Sequence, residues 1–569
     1  MKDSRENEYL ITEEGKITTV IKTPIIPEQA YRQDNIEDII FTSAVKEIGG
    51  KAFYKCLGIQ NIEFNKGLRV IGDYAFFLCE NLTNVSLPSS LTYIGKSAFY
   101  NCRLKEMEIG GKVKEIGEEA FAENHLLSKV IINKGVEKIG RWAFMGCHNL
   151  EEIYLPSTIK KIGSGAFENT YLKEIRLPSL IELEHDLFKN SKLERISIPE
   201  SVIEIGNCAF AETPLVSIEF PFNLRRIGDN AFQKCLKIEE IDIPESVTTM
   251  GKGAFSDCKN LSYIKLPVSL KEIPSNLFQN CTNLDSINLT HNIRKIGDNA
   301  FEKTALRELI VPSRVIEIGK EAFSGCDYLE RVILPDGIET LDDYAFSGCE
   351  SLQGITLPDS IRKLGKGVFK GCNEIQFITL PKELAIVSNS AFSFCEDLQE
   401  AILPEKLVKI DKNAFCGCSK LEELSLPSNL KFIDNNSFES CESLRKVTIP
   451  DSVEFIGEET FKDCKRLEKI ELPKGLVGIS RETYSGCIKL KDIALPKSLK
   501  LIGFEAYKNT GLEHIELSDN ITHIDAGAFE ECCRLVDINL PNYIKTINEF
   551  TFKGCLSLEN IEIPKEVNI

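Results

Sequence analysis

The sequence predicts a repeat solenoid, mainly β, in which one short unit coils round and stacks on its own copies. Two observations predict this fold class. Aromatic residues recur at a spacing of 21 to 23 residues from Phe53 to Phe552, at 23 positions, and Tyr31 fits as a degenerate position before them. Each unit also carries apolar residues at fixed offsets, and a unit of this length cannot bury them alone. Stacked neighbours would complete a common core, so we expect a continuous array.

One unit shows how the coil is built. In residues 261–266, LSYIKL, Ile264 and Leu266 alternate with Lys265, which indicates a strand with one buried face. Pro267 then ends the strand, because proline has no N–H for a sheet ladder. A second short extended segment follows in each unit, as in Leu91-Thr-Tyr-Ile94-Gly95, where glycine permits a tight turn. Each unit is therefore predicted to be one turn of a coil with parallel strands.

The recurring phrase L-x-x-I-x-L-P-x-x-[LV]-x-x-I-G-x-x-A-F-x-x-C resembles the BspA-like, or Treponema pallidum-type, leucine-rich repeat over about residues 30–569. The resemblance implies a right-handed coil with a parallel β-sheet on its concave face and short strand and turn segments on the other side. It also implies an adhesin-like, protein-binding role at the cell surface or after secretion. A host or extracellular-matrix protein, such as fibronectin or fibrinogen, would then be the partner.

The two ends of the chain suggest a division into domains. Residues 8–22, EYLITEEGKITTVIK, read as two strands about a Glu-Glu-Gly turn, which predicts an N-terminal β-hairpin cap over residues 1–23. A continuous array of about 23 repeats of 21–23 residues would follow over residues 24–569 and end partway through a repeat. Because solenoids need capped ends for solubility, an alternative function is that of a structural protein that self-associates through this end.

The net charge of −18 argues against a nucleic-acid partner, which would need clustered Lys and Arg. Membrane insertion is not expected either, because no apolar run reaches the ~18 residues that a spanning helix needs. The start, MKDSRENEYLITEEGK, has no apolar segment of the kind found in secretory signals. That start predicts a cytoplasmic protein, whereas the family resemblance implies the cell surface, so the sequence leaves both locations open.

The cysteines have a structural explanation. Of the 20 cysteines, 17 lie three residues after a recurring aromatic; at the six other positions stand Asn124, Thr170, Ser191, Thr213, Thr304 and Thr510. Thr and Ser match Cys in size and can hydrogen-bond to a neighbouring backbone group, but they cannot form a disulfide. Equivalent residues in adjacent coils should also lie ~4.8 Å apart with parallel side chains, a poor geometry for a disulfide. We therefore expect reduced, buried packing residues.

No catalytic, cofactor or metal site is expected. The sequence contains no phosphate-binding loop, dinucleotide fingerprint or nucleophile elbow. The six histidines fall on different coils, no two of them at metal-ligand spacing, and a zinc site needs ligands that converge on one point. The sequence thus favours a protein without enzymatic activity.

A candidate binding surface comes from the exposed strand positions. At the exposed position between the Ile and Leu of the strand most coils carry charged or polar residues, but from residue 310 to residue 402 this position is uncharged, and the other exposed positions in these coils include Gln353, Gly354, Gln376 and Phe377. We define the uncharged stripe as Ile310, Ile333, Thr356, Phe377, Thr379 and Ile402. Contiguous exposed apolar surface often marks an interaction site, and aromatic residues act as anchors. The alternative is that β-branched residues stand there for cross-strand packing.

Overall fold

The computed structural model describes residues 8–11, 17–559, 561–565 and 567, with side chains from residue 18 onward. These residues form a parallel β-solenoid of about 23 turns, and none of them lies in a helix. The predicted fold class is confirmed. The chain divides into two compact units, Met1–Leu270 with Asn276–Leu284 and Lys271–Ser275 with Asp285–Ile569.

Most coils have three sides: a longer strand, a two-residue strand, and a turn segment that carries the recurring aromatic. The unit predicted from residues 261–266 forms the strand Tyr263–Lys265, in which Ile264 is buried between two exposed neighbours. It pairs in parallel with the strand one coil earlier, with Ile264 beside Ile241. We call the exposed side chains of the longer strands the strand face.

The described residues of the first unit form twelve longer strands and eleven two-residue strands. The longer strands are β1 Glu8–Ile11, β2 Ile17–Ile21, β4 Asp38–Phe41, β6 Asn61–Glu63, β8 Asn84–Ser86, β10 Glu106–Ile109, β12 Lys129–Ile132, β14 Glu152–Tyr154, β17 Arg195–Ser197, β19 Ser217–Glu219, β21 Glu240–Asp242 and β23 Tyr263–Lys265. The two-residue strands are β3 Ile25–Ile26, β5 Glu47–Ile48, β7 Val70–Ile71, β9 Tyr93–Ile94, β11 Glu115–Ile116, β13 Lys138–Ile139, β15 Lys161–Ile162, β16 Glu182–Leu183, β18 Glu204–Ile205, β20 Arg226–Ile227 and β22 Thr249–Met250.

The second unit repeats this arrangement. The strands on the side of the strand face are β26 Glu308–Ile310, β28 Arg331–Ile333, β30 Gly354–Ile355, β32 Phe377–Thr379, β34 Glu400–Ile402, β37 Lys446–Thr448, β39 Lys469–Glu471, β42 His514–Ile515 and β44 Asp537–Ile538. The other series is β24 Glu272–Ile273, β25 Lys295–Ile296, β27 Glu317–Ile318, β29 Thr340–Leu341, β31 Lys363–Leu364, β33 Ile386–Val387, β35 Lys409–Ile410, β36 Phe432–Ile433, β38 Phe455–Ile456, β40 Gly478–Ile479, β41 Leu501–Ile502 and β43 His523–Ile524.

At the N-terminal end the first two strands pair antiparallel, with Glu8 opposite Val20. The second of them, β2, then pairs in parallel with β4 of the first coil. The Glu-Glu-Gly turn expected between the two strands lies outside the described residues. That this segment caps the array therefore stays a prediction.

The recurring aromatics form the centre of the core in each unit. In the first unit their rings stack at centroid distances from 5.0 Å, between Tyr31 and Phe53, to 6.2 Å, between Phe255 and Phe278. In the second unit the stack runs from Phe301 to Phe552 with spacings of 5.2–5.9 Å. The stack follows from the repeat, because residues one period apart occupy the same place in adjacent coils.

Left-handed backbone flanks each aromatic on both sides. Around Phe369, for example, Gly367 has φ +56° and Gly371 has φ +72°. A side chain in this conformation is strained by roughly 1–2 kcal/mol, which explains the glycines and asparagines at these positions. Gly367 has a second constraint, because a Cβ there would lie 2.3 Å from the ring of Tyr344, the equivalent residue of the preceding coil.

The cysteines are free thiols, and of the 17 that lie three residues after a recurring aromatic 16 are buried, as expected, while Cys555 is partly exposed. Each of the 17 cysteines that lie three residues after a recurring aromatic donates its S–H to the carbonyl of the recurring aromatic one coil earlier, as Cys258 does to Phe232 O at 3.1 Å. Burial raises the pKa of Cys147 and of Cys235 to about 12, so these thiols stay protonated. In the same place Asn124 donates to Phe99 O, at 2.8 Å. The buried hydroxyl of Ser191 has no partner among the described residues, so the predicted hydrogen bond is missing there.

Candidate protein-binding surface

All six residues of the uncharged stripe are exposed on the strand face of the second unit. Ile310 pairs with Ile333 in the register of β26 and β28, and Thr379 pairs with Ile402 in that of β32 and β34. Thr356 follows directly on β30 and continues the same column of side chains. The structure therefore brings five of the six residues into one column, with Phe377 two positions before Thr379 on the same side of β32.

The apolar members of the stripe are strongly exposed. The exposed fraction is 61% for Ile310, 39% for Ile333, 57% for Phe377 and 53% for Ile402. A large apolar side chain that packs across strands would lose most of this accessible area. Cross-strand packing alone therefore does not account for Ile310, Phe377 and Ile402.

The space next to Phe377 is open. Gly354 occupies the equivalent strand position one coil earlier, and a Cβ placed on it would meet no atom of the described residues within 4 Å. On the other side of the ring the register neighbour is Glu400. The missing side chain at Gly354 leaves one side of the phenyl ring free for a ligand.

Charges surround the stripe but are absent from its centre. In the coils of residues 353–356 and 376–379, the exposed strand positions are Gln353, Gly354, Thr356, Gln376, Phe377 and Thr379. At one end lies the ion pair of Arg331 with Glu308, at 3.3 Å, and beyond the other end lies the pair of Lys446 with Glu471, at 3.9 Å. Such exposed pairs contribute little to stability, but they make the surrounding surface polar. A centre depleted of charge, with charged residues towards the rim, is a usual arrangement of a protein interface.

A second apolar surface lies on the two-residue strands of the same unit, and the sequence analysis missed it. Phe432 and Phe455 pair in register in β36 and β38, and both side chains are exposed. Ile386 and Leu501 are exposed in the same series of strands. The sequence carries a signal for this surface, because these residues share one position of the repeat, on the two-residue strands instead of the longer ones.

The histidines also need a correction. The interpretation that no two lie at metal-ligand spacing is wrong for His125 and His148, whose rings stack at a centroid distance of 5.2 Å. The two residues are 23 positions apart, which is one repeat, so they occupy the same place in adjacent coils. Glu123 completes a group of three possible ligand atoms that lie within 4.8 Å of one another. The period of the repeat would have identified this pair.

The parallel coils, the buried aromatic stack and the exposed strand positions define a leucine-rich repeat scaffold. The sequence pattern of the BspA type leucine-rich repeat region, a unit of six copies, matches overlapping stretches at residues 15–126, 70–192, 114–237, 181–306, 294–418, 339–468 and 455–569. These stretches include nearly the whole chain, and the protein belongs to this family. The predicted resemblance is confirmed.

Solved structures similar to this chain include several leucine-rich repeat proteins. One from Bacteroides ovatus is 28% identical, covering 66% of this chain and 88% of its own, with a TM-score of 0.49. The Treponema pallidum leucine-rich repeat protein is 22% identical, covering 42% and 80%, with a TM-score of 0.21. The pneumococcal vaccine antigen PcpA is 17% identical, covering 76% and 93%, with a TM-score of 0.30. A search of curated proteins finds no match.

Among the described residues, no helix has the length and apolar character to cross a membrane.

Proposed function

We propose that this protein is a non-enzymatic, adhesin-like binding scaffold that holds a protein partner on the uncharged stripe. The observation that carries the proposal is Phe377, an aromatic ring that is more than half exposed beside an open glycine position. Aromatic anchors at the centre of an interface supply a large share of the binding energy, and the surrounding contacts exclude water.

The composition of the rest of the strand face supports this choice. Exposed aromatic residues elsewhere on it stand among charges: Tyr154 donates its hydroxyl to Glu152 at 3.2 Å and lies under the ammonium group of Lys129. Phe377 has the uncharged Gln376 directly before it, Thr379 on its own strand and the single charge of Glu400 in register beside it, so its ring can be covered without removing a described ion pair from water. A partner with an apolar, weakly charged contact surface fits this site best.

The experiment is a surface plasmon resonance measurement with the full chain immobilised and with fibronectin and fibrinogen as the probes. Phe377→Ala and Ile333→Glu should each weaken binding at least about tenfold, which is the size expected for an anchor residue and for a charge placed in an apolar contact. Tyr263→Ala is the matched control, because Tyr263 also begins a three-residue strand and is 48% exposed. It stands beside Glu240 in the register.

Three outcomes are informative. Loss of binding in both stripe variants with the control unchanged supports the proposal. Equal binding by all four proteins would refute the stripe as the site. If neither matrix protein binds the parent chain, the matrix-adhesin part of the proposal is wrong.

Self-association is the second candidate function and stays a prediction. It is tested separately by light scattering across a concentration series. A constant monomer mass at all concentrations would remove it.

A further inference from the structure

We infer that Glu123, His125 and His148 form a binding site for a divalent transition-metal ion, with zinc as the ion that fits best. The site lies in the first unit, on the turn segments that follow Phe121 and Phe144. It is independent of the uncharged stripe and of any protein partner.

The tautomers of both histidines are set by the backbone. The Nδ1 atom of His125 lies 3.1 Å from Gly146 O, and that of His148 lies 3.0 Å from Asn169 O. A carbonyl oxygen can only accept a hydrogen bond, so in each ring Nδ1 carries the proton. In the neutral ring, Nε2 then keeps its lone pair for a metal. Histidine ligands in proteins commonly donate their other ring nitrogen to a carbonyl or carboxylate, which fixes the ring in the binding orientation.

The carboxylate of Glu123 is the third ligand. Its Oε2 atom lies 3.7 Å from Nε2 of His125. Two ligand atoms around a tetrahedral zinc ion, each ~2.0–2.1 Å from the metal, are ~3.3 Å apart, so this pair is already close to the required separation. Imidazole nitrogen and carboxylate oxygen are both ordinary zinc ligands, whereas calcium and magnesium prefer oxygen alone.

Gly146 makes room for this arrangement. It has φ +70°, and a Cβ on it would lie 2.5 Å from Oε1 of Glu123. The carboxylate therefore occupies the space that a side chain would fill, next to the carbonyl that orients His125. One glycine thus positions two of the three ligands.

Binding requires one movement. The two imidazole rings are parallel within 2°, and a metal ion must lie close to the plane of each ring that holds it. The rings must therefore tilt towards each other when the ion enters. Both side chains are exposed, so surrounding atoms do not prevent this tilt. Three protein ligands leave a fourth position for water.

The test is isothermal titration of ZnCl2 into the full chain carrying Cys533→Ser, a change that removes the exposed thiol. We expect one site per chain. His125→Ala and His148→Ala in the same background should each weaken zinc binding by about tenfold or more. Loss of one of three metal ligands lowers the affinity more than loss of a residue that only hydrogen-bonds to a ligand. His514→Ala is the matched control, because His514 is exposed and lies 2.6 Å from Asp537 but has no third possible metal ligand close to the pair among the described residues.

X-ray absorption at the zinc edge provides a second readout. The bound ion should show two imidazole ligands and no sulfur. Unchanged zinc affinity in either of the two alanine variants, or a zinc–sulfur distance in the spectrum, would overturn the inference. Loss of binding in the His514 variant alone would place the ion elsewhere and would also overturn it.

Discussion

Replacement of Tyr484 by phenylalanine should stabilise the protein, although it only removes a hydroxyl group and introduces no new contact. The ring of Tyr484 is completely buried in the aromatic stack, with centroids 5.9 Å from Phe461 and 5.4 Å from Tyr507. Its hydroxyl has no hydrogen-bond partner among the described residues. Burial raises the pKa of the phenol well above its ordinary value, so the group stays neutral.

The size of the effect follows from the cost of burying the hydroxyl. An unpaired hydroxyl in a protein interior costs about 1–3 kcal/mol. Removing the oxygen also loses a few atomic contacts, each worth about 0.1–0.2 kcal/mol. The net gain for Tyr484→Phe is therefore about 1 kcal/mol, which corresponds to about a fivefold lower population of the locally opened state.

The assay must report on one coil, because a repeat array opens locally as well as globally. Cys487 lies in the same coil, is fully buried, and donates its S–H to Phe461 O at 3.2 Å. Its rate of labelling by iodoacetamide, followed by mass spectrometry under conditions where closing is faster than labelling, measures the opening of this coil. Cys258, in the first unit, is the internal control and should label at an unchanged rate.

We expect Tyr484→Phe to slow the labelling of Cys487 about fivefold. The matched reverse change, Phe461→Tyr, places a hydroxyl into the same stack and should accelerate it. Faster labelling of Cys487 in the Tyr484 variant, or an unchanged rate, would refute the reasoning that this hydroxyl is an uncompensated cost.

Two further predictions concern backbone and charge. Gly348→Ala should lower the free energy of unfolding by about 1 kcal/mol through left-handed strain alone, because φ is +71° and the nearest atom to a Cβ would be 3.6 Å away. Gly367→Ala should lower the free energy of unfolding clearly more, because its Cβ would also meet the ring of Tyr344. The labelling rate of the buried thiol in each coil measures how far each of the two variants is destabilised. Equal destabilisation by the two variants would contradict the predicted clash with the ring. The hydrogen bond to Asp537 raises the pKa of His514 above its ordinary value. This pair therefore stabilises the fold while His514 is protonated, and the stabilisation is lost as the pH rises through the folded-state pKa of His514. An NMR titration should give His514 a pKa above ~6.5, and Asp537→Asn should lower it; no change in that variant would exclude the pair as the cause.

The repeat explains why so much of the candidate surface was predictable. Once the strand position of Ile264 was identified, the period assigned an inward or outward direction to the equivalent residue of every other coil. The exposure of Ile310 and Phe377 was predicted correctly for this reason. The openness next to Phe377 was not, because it depends on what stands one coil away, at Gly354.

The sequence alone determined the coil, its period, the buried aromatic stack and the structural role of the cysteines, since these features recur in every unit and need no knowledge of distant contacts. Tertiary structure decided the features that depend on two particular coils lying side by side. It placed the ring of His125 on that of His148, paired Phe432 with Phe455, and left the hydroxyl of Tyr484 without a partner among the residues that the structure describes. The physical reason is one of distance: residues separated by a full repeat along the chain are only ~5 Å apart in space.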